Sequence, residues 1–225
     1  MRIAARFNGP PGSGNGGYSA GLLAVELGLA PAEVTLRRPL PLDTDLAVVR
    51  AAAAARVLAG DTLIAEARPA PAQRPDAVPP VPLSDAAEAS KDYPGLRSHP
   101  FPTCYVCGTG RDDGLALRPG ILPDGRTAAP WHVPGDICEP TLWAALDCPG
   151  GWSVIAPSGG RPYVLGRISA WIDALPRPGD TCVVVGRHIG GGGRKADVLS
   201  TVYSPDGVVL ATAHATWIAL PPATD

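Results

Sequence analysis

The feature that most constrains this chain is a helix opening that occurs twice, each copy carrying half of a candidate reactive set. The first copy runs Asn15-Gly16-Gly17-Tyr18-Ser19-Ala20-Gly21-Leu22-Leu23-Ala24, and the second Cys138-Glu139-Pro140-Thr141-Leu142-Trp143-Ala144-Ala145-Leu146-Asp147. Superposed, Asn15 falls on Cys138, Gly16-Gly17 on Glu139-Pro140, and Ala24 on Asp147. A glycine pair at a helix start presents free backbone N–H groups, which suit an oxyanion. Pro140 has no N–H to present. The carboxylate, conversely, belongs to the second copy alone. Two incomplete copies therefore combine into one complete site.

The surroundings of the two openings agree in order. Residues 34–49 and 166–185 each read as strand, proline-bearing turn, strand. Residues 55–67 and 199–213 each read as a hairpin-like element, the second with a strong Asp206-Gly207 turn signal. Each half is expected to hold a strand, a long helix and three or more antiparallel strands, the sheet curving around the apolar helix. Between the halves lie Pro69, Pro71, Pro75, Pro79, Pro80, Pro82, Pro94, Pro100 and Pro102. That composition predicts a linker, partly extended, with one short helix over residues 84–89. The expected division is an N-terminal unit at 1–70, a linker at 71–100 and a C-terminal unit at 101–225.

Composition narrows the function classes. A hydrophobic content of 45% with 18% charged residues predicts a soluble globular chain able to bury a core. The net charge of −2, with no basic run longer than Arg37-Arg38 or Arg194-Lys195, argues against nucleic acid as a partner. No apolar run approaches the ~20 residues that span a bilayer, and the start of the chain lacks the apolar core of a signal peptide. Five cysteines, an odd number, fit a reducing cytoplasm better than a disulfide scaffold.

At this point the residues resemble the hotdog-fold thioesterases and their relatives. Members often begin with Cys-x-x-Cys-Gly and a Gly-Leu shortly after, here Cys104-Tyr105-Val106-Cys107-Gly108 and Gly114-Leu115. Their central helix often opens His-Gly-Gly and carries an acid nine residues on. Asn15-Gly16-Gly17 matches that opening with Asn in place of His, and Asp147 matches the acid. The resemblance implies an α+β double hotdog. Two curved antiparallel sheets would each wrap a central long helix, and the fused halves would form an intramolecular pseudo-dimer. It implies hydrolysis of an acyl thioester, carried by coenzyme A or a carrier protein, with no cofactor. Pairing into a homodimer of pseudo-dimers would also fit that family.

Helix geometry explains why the halves must cooperate. Nine residues rise ~13.5 Å, so the amides and the acid of one helix cannot reach one carbonyl. The resemblance implies the solution: in that family two helices pack antiparallel, so that the amides of one meet the acid of the other. The site so expected joins Gly16 and Gly17 amides, Asn15 and Asp147, with a dead mirror site at Glu139-Pro140 and Ala24. Pro149 and Gly150-Gly151 are expected to stop the second helix, leaving Asp147 in its last turn, opposed to the helix dipole and poised as a base. Tyr18, Trp143 and Trp152 are candidate walls of an acyl pocket, with plain core packing the alternative. Arg194 and Lys195, on a mobile Gly190–Gly193 loop, are candidate phosphate contacts, with a solvated hairpin the alternative.

Other motifs carry less. Gly17-Tyr18-Ser19-Ala20-Gly21 fits the G-x-S-x-G elbow, but too little chain precedes Ser19 for the strands an elbow needs. Gly12-x-Gly14-x-x-Gly17 is separated from any preceding strand by Pro10-Pro11. Cys104-x-x-Cys107 has His99 as a third metal ligand and no evident fourth, which favours a packed turn and no metal. Two other activities remain open: an acyl-CoA binder without chemistry, and a dehydratase or hydratase, for which His132 is the histidine before the second helix.

Overall fold

In the computed structural model, which describes residues 1–51 and 54–221, the chain builds one ten-stranded antiparallel sheet around two packed helices. The elements in order are α1 (Gly16–Leu27), β1 (Ala32–Leu36), β2 (Ala47–Ala51), β3 (Ala54–Ala59), β4 (Thr62–Pro69), α2 (Leu83–Lys91), β5 (Gly120–Ile121), β6 (Thr127–His132), α3 (Glu139–Ile155), β7 (Tyr163–Ile172), β8 (Thr181–Gly192), β9 (Lys195–Tyr203) and β10 (Val209–Ala219). The sheet order is β2-β3-β4-β1-β7-β10-β9-β8-β6-β5. The strands after each long helix repeat one pattern: β1, β4, β3, β2 in the first half and β7, β10, β9, β8 in the second. The two expected sheets are thus a single sheet, because β1 pairs with β7 from Ala32↔Ala170 to Thr35↔Arg167.

Buried Glu33 closes that seam, accepting from Ser169 Oγ at 3.0 Å and pairing with Arg68 at 2.7 Å. One expected element is missing. No strand precedes α1; residues 1–15 make a single 3-10 turn at Ala5–Phe7 and an isolated bridge between Asn8 and Gly14. Pro10-Pro11 and the neighbouring glycines cannot sustain a ladder there.

The proline-rich interval is ordered along the sheet of the second half. Val78, Val81 and Ala86 form a small core with Ala128, Val183, Val185 and Tyr203. Arg74 grips Asp173 through its two terminal guanidinium nitrogens at 2.8 and 2.7 Å, and Thr201 Oγ1 accepts the Val78 N–H at 2.9 Å. The short helix expected over 84–89 is α2.

The second long helix corrects another expectation. It does not stop at Pro149 but continues to Ile155, buried almost throughout. Tertiary packing overrides the local signals. Gly150 and Gly151 let the helix approach the sheet: a Cβ on them would fall 2.6 Å from Val198 Cγ2 and 2.4 Å from the Trp217 ring. Among the described residues, no helix is long and apolar enough to cross a membrane.

Candidate active site

The two long helices pack antiparallel through glycine. A Cβ on Gly17 would lie 2.6 Å from Asp147 Cβ and from the Trp143 carbonyl, and one on Gly21 2.8 Å from Pro140 Cα. As α1 advances from 17 to 21, its neighbour on α3 recedes from 147 to 140. The Gly17-x-x-x-Gly21 spacing that resembled a nucleophile elbow is therefore a contact stripe. Ser19 is a buried helical residue whose hydroxyl has no hydrogen-bond partner among the described residues.

Asn15 caps α1, its Oδ1 accepting the Tyr18 N–H at 2.9 Å. That bond orients the amide, so Nδ2 turns to Asp147 Oδ2 at 3.3 Å and to Cys104 Sγ at 3.8 Å. The Gly17 N–H also donates to Asp147 Oδ2, at 2.9 Å. Gly16, the remaining amide of the helix start, has no acceptor among the described residues. Oδ1 of Asp147 is buried without a partner among the described residues. Both Gly16 and Asp147 line a cavity of about 380 Å³.

Asp147 is the ninth of 17 residues in α3, so the C-terminal dipole expected to act on it is not the cause of its raised pKa. Burial is: loss of water pushes its pKa up to about 7, against the opposing pull of the Gly17 N–H, with Cys104 adding to the rise. The positive start of α1 faces it instead, which favours its charged form.

The other expected residues divide. Trp152 lines the same cavity. Trp143 does not; it lines a second cavity of about 200 Å³ with Glu139, Arg74 and Asp173, on the side of the expected mirror site. Tyr18 stacks on Phe7 with ring centroids 3.8 Å apart, and burial pushes its phenol up to about 12. Arg194 and Lys195 line neither cavity, and both are exposed. Of the four glycines before them, Gly190–Gly192 belong to β8, and only Gly193 and Arg194 form the turn into β9 at Lys195. His132 sits exposed at the end of β6, its Nδ1 3.0 Å from Thr181 Oγ1, away from the cavity lining.

Sequence reasoning missed part of the wall. Cys104, Cys107, Cys148, His99, Leu165 and Trp217 all line the cavity. Cys148 adjoins Asp147 in sequence, a signal present but unread. Trp217 lies 70 residues beyond Asp147 in the chain and only the sheet brings it there.

No protein-family model and no curated protein matches the sequence. Solved structures do match in shape. One, from Novosphingobium aromaticivorans and provisionally named a thioesterase, has a TM-score of 0.59 at 17% identity, over 98% of this chain and 94% of its own. A protein from Lactobacillus plantarum, provisionally named an oleoyl thioesterase, gives 0.58 at 11% identity, over 98% and 95%. A protein of unknown function with a hot dog fold, from Alicyclobacillus acidocaldarius, gives 0.53 at 13%, over 99% and 92%.

Proposed function

We propose that this chain, which has the hotdog fold, hydrolyses acyl thioesters at one composite site between the start of α1 and Asp147 of α3. The observation that carries the reading is the pairing of two unpartnered groups in one cavity: the Gly16 N–H and Asp147 Oδ1. The thioester carbonyl oxygen accepts from the Gly16 N–H at the positive end of α1, where the negative charge that develops is stabilised. Asp147 Oδ1 takes a proton from water as the water oxygen attacks the carbonyl carbon. The C–S bond then breaks, the thiolate takes up that proton, and a carboxylic acid and a free thiol leave. Asn15 and the Gly17 N–H hold Oδ2, which fixes the carboxylate for this task. The cavity's largely apolar lining, including Trp152, Leu165 and Trp217, suits an acyl chain. The names of two structurally similar proteins favour the same chemistry.

This reading treats residues 1–70 and 101–225 as two hotdog units fused by 71–100 into a pseudo-dimer. Only one of its two sites is complete, since Pro140 and Ala24 stand where an amide and an acid are needed. Coenzyme A is the favoured carrier, because the chain has no broad basic face for an acidic carrier protein.

A second reading, a binder of acyl-CoA without turnover, is favoured by one observation: the Gly17 N–H is already engaged by Asp147. Thiol release from short, long and aromatic acyl-CoA separates the two. Turnover of at least one substrate supports the hydrolase. Saturable binding without turnover moves the protein to the binder class, and neither binding nor turnover removes both readings.

A further inference from the structure

We propose that Cys104, Cys107 and Cys148 bind a thiophilic d10 cation, Zn²⁺ in the first instance, in the wall of this cavity. Their three sulfurs lie within 4.8 Å of one another, and the Cys104 and Cys148 sulfurs are 4.0 Å apart. Bonds of ~2.3 Å from zinc to thiolate set S···S separations of about 3.8 Å in tetrahedral geometry and about 4.0 Å in trigonal geometry. Closing the site would therefore take contractions of the sulfur separations of at most about 1 Å. The ligands come from two places. Cys104 and Cys107 flank a tight turn with the C-x-x-C spacing common among zinc ligands. Gly108 makes that turn possible, since a Cβ there would fall 2.5 Å from the Cys104 carbonyl oxygen. Cys148 projects from α3. All three are buried and none is in a disulfide.

Two N–H groups are aimed at these sulfurs. His99 Nδ1 accepts the Phe101 N–H at 2.9 Å, which leaves the proton of the neutral ring on Nε2. Nε2 stands 3.4 Å from Cys107 Sγ and 3.1 Å from the Cys107 carbonyl oxygen. His99 is thus a donor to the sulfur rather than a ligand. Asn15 Nδ2 approaches Cys104 Sγ at 3.8 Å. Neutral thiols are weak acceptors, whereas metal-bound thiolates use such donors to spread their charge. Three thiolates and a dication leave one net negative charge, which these donors face. A sulfur-only set selects a soft or borderline cation and excludes Mg²⁺ and Ca²⁺. All three cysteines are in the cavity wall, so the proposal places the fourth coordination position toward the cavity, for water or a small ligand.

The test uses the full chain purified with reductant and without chelator. Zinc is measured by elemental analysis and thiols are counted after unfolding. The metal is then stripped, and Co²⁺ is titrated while the thiolate-to-cobalt charge-transfer band is recorded. The expected result is a reduced protein with one zinc per chain and a cobalt band that saturates at one equivalent and is displaced by Zn²⁺. Cys107→Ser and Cys148→Ser should each weaken uptake more than tenfold. Cys182→Ser and Cys138→Ser, outside the trio, should leave it unchanged. His99→Ala should weaken it about 10- to 100-fold, as loss of a ligand's hydrogen-bond partner does. Folded, fully reduced wild type that takes up neither Co²⁺ nor Zn²⁺ overturns the proposal, as does a stable disulfide within the trio. The wild-type titration decides the matter even where a variant fails to fold, and it is independent of whether the cavity hydrolyses thioesters.

Discussion

Asp147 is held between two opposing influences: burial, which resists its charge, and the start of α1 with the Asn15 amide, which welcomes it. Burial prevails. A folded-state pKa of about 7 against 3.8 means that the folded protein keeps a proton the unfolded chain has already lost. Stability from this group is therefore intact below pH ~4 and is lost as pH rises through about 7, by up to about 4 kcal/mol. In metal-free protein, Asp147→Asn should unfold at higher denaturant than wild type at pH 8.5, and the difference should vanish near pH 4. A pH-independent difference would show that burial does not dominate. Asn15 does two things, and two substitutions separate them. Asn15→Ala removes the cap, at about 1 kcal/mol, together with the donor to Oδ2. Asn15→Ser keeps a capping oxygen but cannot reach Asp147 with a donor. Equal loss of activity in both, with stability lost only in Asn15→Ala, is the expected pattern in paired unfolding and turnover assays.

At the scale of elements, the site depends on how closely α1 and α3 approach. Gly21→Ala places a Cβ against Trp143 and Pro140 backbone, remote from the cavity lining, and should cost about 1–3 kcal/mol by overpacking. A chemical denaturation curve within 0.5 kcal/mol of wild type would contradict this packing. The cap and the glycine pair were legible in the sequence because capping is local chemistry. Asp147 was legible through its spacing, since helical rise is fixed. The end of α3 was not. Pro149 and Gly150-Gly151 are stop signals by local rules, but here the sheet packs directly onto them and the buried Trp152, Val154 and Ile155 carry the helix on. The strand expected before α1 failed for the converse reason: repetition argued for it, and two prolines forbade it. The sulfur trio lay beyond sequence reasoning, because Cys148 joins the Cys104–Cys107 turn only through the fold.

For the molecule as a whole, the two halves share one sheet, and Glu33 sits where they join. Its carboxylate serves Ser169 and Arg68 across β1 and its neighbours, so Glu33→Ala should leave Ser169 unpartnered and cost about 1–3 kcal/mol. Unfolding should remain a single transition, seen by circular dichroism and tryptophan fluorescence together; two separated transitions would show that the halves are independent. The same union builds the proposed site, since its amides come from one half and its acid from the other. The most direct test of that composite site is the kinetic comparison of wild type with Asp147→Asn on the best acyl-CoA substrate. The expected result is a fall in kcat of about 10²- to 10⁴-fold with KM nearly unchanged, as for loss of a general base. A folded Asp147→Asn enzyme with kcat within threefold of wild type would contradict the composite site.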